Sequence, residues 1–365
     1  MDSLKSEVNN NNNNHKNLLV FEFFSGIGGM HEALKQINNI KIIQLYPFDI
    51  NQNANSTYFH NFKIKPFNLS IESFSLKDYE NLIDLNIKNN KNNDKLLILW
   101  TMSPPCQPFT RQGKVEGLND NRTNAFVHLM DNIFMKTKYF PDYFLLENVK
   151  NFEISEANKM LVNILSQKNF SYIQFLLSPI QFNIPNSRLR FYLIASKIKN
   201  FNVNEYTNNP CKFIEDPYII FKDKILPKID IKTFLNFEIK DDYIKNKEYY
   251  LIKEILEKKN CLSMDIALLG NYSTNCFTKG YTKLFKGTGS ILLINDNLYK
   301  KDLNPITLLG YIRFFTPKEI LKFLCFEEIF SFPENFTEKT KYKLLGNSIN
   351  VKVVNILMEY LFKDN

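Results

Sequence analysis

The sequence is short of the features that mark secreted, zinc-bound or membrane-spanning proteins. Its 365 residues hold only five cysteines: Cys106, Cys211, Cys261, Cys276 and Cys325. Their wide, irregular spacing gives no disulfide framework and no CxxC pair, which points to a reduced intracellular compartment. The four histidines, His15, His31, His60 and His128, lie near none of them in sequence, so no metal site is expected. No apolar run is long enough to cross a bilayer, and the polar start, Met1 to Lys16, has no apolar signal core. A soluble protein of the cytoplasm, and of the nucleus as an alternative, is the expectation. No internal repeat is visible.

What is present is a globular composition rich in Phe (33) and Tyr (18), with a formal net charge of +8. That charge suits an anionic partner such as nucleic acid, and equally an ordinary soluble surface. Residues 1–16, with their Asn run, read as a disordered tail, and Asn86 to Asp94 as an inserted surface loop. Between these patches, apolar runs alternate with helical stretches. The runs are Leu18 to Phe24, Ile40 to Phe48, Leu96 to Thr101 and Tyr143 to Leu146, with Tyr172 to Leu177 and Arg190 to Ala195 following. This alternation predicts an α/β fold with a mostly parallel sheet and ligands at the carboxyl ends of its strands. From about Lys197 to Gly310 the periodicity weakens, which suggests a second, smaller domain. Thr316-Pro317-Lys318-Glu319 then opens a helix, and Asn350 to Phe362 forms a last amphipathic one.

Four motifs fall at strand ends. Phe24, Ser25, Gly26, Ile27 and Gly28 make a glycine turn from strand to helix, and Asp49 closes the next strand about twenty residues on. Such a turn either cradles a nucleoside cofactor, with the carboxylate accepting from ribose hydroxyls, or simply reverses the chain. In Ser103-Pro104-Pro105-Cys106 two prolines fix the backbone before a thiol. Cys106 is thus either an oriented nucleophile or a buried structural cysteine. Glu147 reads as a proton-carrying acid in the same cleft, or as a surface carboxylate. Arg188 and Arg190 alternate and share one face, for a base edge, a phosphate or surface ion pairs.

In their order these motifs resemble the cytosine-5 methyltransferase family, joined by Gln181 to Arg190, Arg313 to Glu319 and Leu345-Gly346-Asn347-Ser348. Cys276-Phe277-Thr278-Lys279-Gly280-Tyr281, with Gly287-Thr288-Gly289-Ser290, is similar to one eukaryotic branch, once called the second DNA methyltransferase. Its members methylate cytosine 38 in the anticodon loop of aspartate tRNA. Leu284 departs from the second Tyr often found there.

The resemblance implies a Rossmann-like methyltransferase domain, residues 17–196 and 311–365, with residues 197–310 as the target-recognition domain. It implies S-adenosylmethionine as cofactor, tRNA as partner (with DNA as the alternative), and a monomer. Cys106 is implied as nucleophile toward carbon 6, Glu147 as donor to ring nitrogen 3, and Arg190 as holder of the base oxygen. Arg188 is implied to orient the loop or a phosphate. Phe24 to Gly28, Asp49, Ile50, Ile71, Pro104, Asn347 and Ser348 would hold the cofactor. Cys276, Phe277, Thr278, Lys279 and Tyr281 would read RNA by stacking and phosphate contact. The alternative for this last segment is structural, with Phe277 in a core.

Overall fold

A computed structural model describes residues 15–91, 94–105, 123–201, 213–236, 238–300 and 304–363. Its centre is a six-stranded sheet. The strands are β1 (Lys16–Phe23), β2 (Ile40–Phe48), β3 (Leu96–Met102), β4 (Tyr143–Val149), β5 (Ser171–Leu177) and β6 (Arg190–Ser196). They lie in the order β2-β1-β3-β4-β6-β5. All run parallel except β6, which is antiparallel to both its neighbours. The expected α/β, mostly parallel architecture is therefore observed.

Alternation along β1 shows why the sheet is covered on both sides. Leu18 and Val20 point into one apolar cluster, while Leu19, Phe21 and Phe23 point into another. Onto the first face pack α1 (Gly29–Lys35) and the carboxyl-terminal helix, whose Val353, Val354 and Leu357 are buried in that cluster. α2 (Gln52–Phe62) adds Tyr58 to the same side. The second face is covered by α3 (Leu76–Asn89), α4 (Asn124–His128) and α5 (Glu156–Gln167) through Tyr79, Ile83, Phe126, Leu161 and Ile164.

The loop expected from Asn86 to Asp94 starts later than the composition suggested. α3 runs on to Asn89, nucleated by a Ser75–Asp78 capping box, and Asn86 is anchored to the Leu82 carbonyl and the Tyr46 hydroxyl, each at 2.7 Å. Capping and local anchoring outweigh the low helix preference of an Asn-rich stretch.

A second sheet follows, made of β7 (Ile266–Leu268), β8 (Ile291–Leu293) and β9 (Ile312–Phe314). One of its faces, with Ile291, Leu293 and Ile312, closes a small core with Leu251, Leu256 and Leu308. Ala267 and Leu292 belong instead to the large cluster shared with the main sheet. The expected boundary at 310/311 falls just before β9, so residues on both sides of it build the small sheet. α6 (Ile239–Lys245) precedes this sheet, and α7 (Pro317–Phe323), α8 (Glu338–Gly346) and α9 (Val351–Phe362) follow it. α7 opens at Thr316 with Pro at its first turn, as anticipated, and the structure adds a Thr316–Glu319 capping box. No helix among the described residues is long and apolar enough to cross a membrane.

Candidate active site

The glycine loop leaves β1 at its carboxyl end. Phe24 (φ 56°) and Gly26 (φ 55°) both take left-handed backbone, and a Cβ at Gly26 would meet nothing within 4 Å. Gly26 is thus a turn residue that faces open space. Its amide donates to Asp49 Oδ2 at 2.8 Å, and the Asn51 amide donates to Asp49 Oδ1 at 2.8 Å. Loop and carboxylate, separate in sequence, are one unit. Burial raises the Asp49 carboxyl from its ordinary value while those amides pull it back. Ile27 is buried, and the neighbouring Gly28 lets the loop sit against Tyr58 and Phe62, whose rings lie 2.3–3.0 Å from where a Cβ would be.

A nucleoside cofactor fits these residues. The Ser25 and Ser348 hydroxyls are buried without a hydrogen-bond partner among the described residues, an expensive condition unless a ligand supplies one. Ile50, directly after Asp49, is 70 % exposed, as an apolar residue awaiting a cover would be. Ile71, by contrast, is buried in the aromatic cluster of Phe23, Phe48 and Phe74. Asn347 is exposed.

The second half of the site gathers at the ends of β3 and β4 and the start of β6. Ser103 and Pro104 follow β3, and Pro104 is buried. Cys106 lies outside the described residues. Asn148 Nδ2 donates to the Pro104 carbonyl at 3.3 Å and so ties the Pro-Pro segment to β4. Glu147, 7 % exposed, lies 3.4 Å from Arg190 Nε. Burial raises its carboxyl above the ordinary range, against the pull of Arg190, Arg188 and a Ser103 hydrogen bond. A carboxyl so raised can hold a proton that an exposed one would lose.

Arg188 is 4 % exposed and ties its own segment to two distant ones. It donates to Cys276 Sγ (3.3 Å), to the Phe277 carbonyl (3.1 Å), and to the Gly346 (3.3 Å) and Ser348 carbonyls. Of its two expected tasks, these bonds match loop orientation; an arginine this buried offers no surface for a phosphate. Arg190 donates to the Leu189 carbonyl (2.8 Å) and to Cys276 Sγ (3.8 Å). The expected common face of the two arginines is observed, and Cys276 is where they meet.

The expected base-stacking role of Phe277 and Tyr281 needs correction. Both are 2 % exposed and pack edge-on against each other, with Phe315 and Phe323 around Phe277 and Tyr342 against Tyr281. The Tyr281 hydroxyl also bonds the Ser290 carbonyl and the Phe315 amide. Rings enclosed in this way have no face to offer a base, and the structural alternative holds for them. Thr278 is half-buried and Lys279 exposed. Two glycines explain the neighbouring motifs by close approach: a Cβ at Gly346 would lie 2.1 Å from the Lys279 amide nitrogen, and one at Gly289 would strike the Tyr281 and Phe277 rings. Leu284 is 56 % exposed, so no packing demands a Tyr there.

Sequence reasoning missed three participants. Asn148 positions the Pro104 carbonyl, and Tyr192 on β6 faces Glu147. Glu22, a carboxylate in an apolar strand just before the glycine turn, is fully enclosed and bonded by Tyr58 at 2.8 Å. Its place in the run Leu18 to Phe24 was the available signal.

Residues 18–363 match the family described as C-5 cytosine-specific DNA methylase. The human tRNA (cytosine(38)-C(5))-methyltransferase is 34 % identical, over 95 % of this chain and 99 % of that protein. A Dictyostelium discoideum DNA (cytosine-5)-methyltransferase is 35 % identical over 95 % of each. The crystal structure of the S. pombe Dnmt2 methyltransferase superposes with a TM-score of 0.75 at 33 % identity, covering 95 % of this chain and 98 % of that one. A glycine loop locked to Asp49, an enclosed Glu147 beside paired arginines, and likeness along nearly the whole length agree: this chain belongs to the C-5 cytosine methyltransferase family and is a relative of its Dnmt2-type members.

Proposed function

We propose that this protein methylates carbon 5 of cytosine in tRNA, with cytosine 38 in the anticodon loop of aspartate tRNA as the target. The observation that carries the chemistry is the enclosed Glu147 carboxyl, paired with Arg190 and joined through Asn148 to the segment that leads into Cys106. The substrate reading rests on relatives named for that tRNA position.

Cytosine carbon 5 is a poor nucleophile until electrons enter the ring. Cys106 supplies them by adding its sulfur to carbon 6, as the position of a thiol behind two prolines suggests. Glu147, holding its proton, donates to ring nitrogen 3 and stabilises the charge that arrives there. Arg190 holds the base oxygen, and Arg188 fixes the backbones around it. Once carbon 5 is methylated, a base takes the proton it still carries, the Cys106–carbon 6 bond breaks, and the aromatic ring is restored. S-adenosylmethionine, the methyl donor general to this family, supplies an electrophilic methyl group when bound. Asp49 would accept from its ribose, Ser25 and Ser348 would offer their hydroxyls, and Phe24 to Gly28 with Ile50 would hold the nucleoside. An unpaired loop base reaches such a site at lower cost than one stacked in a duplex.

Labelled methyl transfer to total small RNA and to genomic DNA tests the substrate, and Cys106→Ala should abolish it on either. The second reading, a DNA methyltransferase, is favoured by the name of the Dictyostelium relative, and preferential labelling of DNA would establish it. Lys279, the exposed cation of its segment, is assigned to an RNA phosphate. Lys279→Ala should weaken tRNA binding and reduce the salt slope by about one unit.

A further inference from the structure

Among the described residues, the Arg188–Arg190 centre holds more positive charge than the chemistry proposed for it balances. The titratable groups among those residues that act on these two guanidinium ions from around them are Glu147 on β4, Tyr192 on β6 and Cys276 ahead of the small-sheet strand β8. Arg188's other bonds go to the carbonyls of Phe277, Gly346 and Ser348, and Arg190's to that of Leu189; these are dipoles, not charges. Arg188 Nε has no partner at all among the described residues. Tyr192 cannot supply a charge, because burial pushes its phenol well above the ordinary range. Glu147 cannot supply one either while it carries the proton that ring nitrogen 3 requires. Among the described residues Cys276 Sγ remains, 3.3 Å from Arg188 and 3.8 Å from Arg190.

We propose that Cys276 is a thiolate, the counter-ion of the Arg188–Arg190 pair and a positioning residue for Arg190, and that it thereby allows Glu147 to keep its proton. This rests on the reading of Glu147 as the proton-bearing group. Burial by itself would raise the Cys276 thiol, yet the two arginines outweigh that effect and hold it below its ordinary value. A diffuse sulfur anion suits the place. It can face two guanidinium ions at distances longer than an oxygen would keep, and it meets Arg190 at Nη2 while Glu147 meets Nε. Were the sulfur neutral, both cations would act more strongly on Glu147 and draw its proton away. Cys276 would then be a further residue of the reaction without touching the base.

Two measurements test this. Thiolate ultraviolet absorbance, taken as wild type minus Cys276→Ser, should show one additional thiolate already present at about pH 7, below the ordinary cysteine range of about 8.5. Should the serine variant not fold, Cys276→Ala provides the reference. A difference that emerges only in the ordinary range overturns the proposal. The second measurement is the pH profile of turnover. Cys276→Ser should move the alkaline limb about one unit lower, a roughly tenfold loss on that side, with the acid side and cofactor KM unchanged. Cys276→Asp, which restores a negative charge, should bring the limb back toward wild type. A uniform loss at every pH would mark a merely structural role and also overturn the proposal. Unreduced turnover in Glu147→Gln would instead overturn the reading beneath it, whatever the state of Cys276.

Discussion

Two buried arginine centres lie in this protein, and they are finished in opposite ways. Arg313, on β9, is fully enclosed and saturated. It makes two bonds to Asp242 at 2.7 and 2.8 Å and two to Glu319 at 2.8 and 2.9 Å, and a fifth to the Phe314 carbonyl at 2.9 Å. Asp242 is further held by Tyr250 and Asn246. That centre joins α6, β9 and α7 and leaves nothing for a ligand. The Arg188–Arg190 centre has one carboxylate at 3.4 Å, one sulfur and several carbonyls, and Arg188 Nε has no partner among the described residues. A closed charge network fixes a fold, whereas an under-satisfied one retains capacity for a substrate.

The largest expected effect comes from opening the closed centre. Arg313→Met strands two buried carboxylates and should cost about 3–5 kcal/mol in urea unfolding. Burial works to raise Asp242, but Arg313 overrides it and holds the carboxyl below its ordinary 3.8. The pair's contribution should therefore be complete above that pH and disappear as the pH falls through the lowered value. Unchanged unfolding in Arg313→Met would erase the contrast between the centres.

The open centre should behave in the reverse manner. Glu147→Gln keeps the shape and should leave the unfolding midpoint nearly unchanged while lowering turnover about 10²–10⁴-fold. Cofactor affinity measured by calorimetry should be little affected. Asp49→Ala divides the two halves of the site differently. It should weaken S-adenosylmethionine binding by about 1–3 kcal/mol, because an acceptor with a buried environment is lost.

A last effect, small at low pH and growing with it, sharpens the comparison through titration. Burial pushes the Glu22 carboxyl up to about 8, despite bonds from the Tyr58 hydroxyl and the His31 backbone amide, and pushes the His31 imidazole down to about 4. A raised carboxyl contributes its full stability below its ordinary 4.5 and loses it as the pH climbs through about 8. Glu22→Gln should therefore gain on wild type from about pH 4.5 upward and level off beyond about 8. The steepest gain is at most about 1.4 kcal/mol per pH unit. A constant difference across that range would mean Glu22 is not the group that titrates.

Much of the fold and part of the site were legible in the chain. The six strands of the main sheet, the glycine turn, Asp49, the Pro-Pro segment, Glu147 and the helix start at Thr316 all follow from local rules. These rules are apolar alternation, left-handed glycine geometry and side-chain capping, and they act over a few neighbouring residues. Even the ligand-facing end of the sheet follows, because parallel strands place all their carboxyl ends on one side.

Tertiary structure alone decided what faces what. Phe277 and Tyr281 look from sequence like a platform for a base, yet they close a core because Phe315, Phe323 and Tyr342 arrive around them. Cys276 looked like part of a reader and stands instead between two arginines 88 and 86 positions away. Arg188 reaches Ser348 across 160 positions, and Arg313 reaches Asp242 across 71. Periodicity carries no information over such separations. The charge state of a buried thiol or carboxyl depends on desolvation and on which ions lie within a few ångströms, and the folded chain alone brings those together.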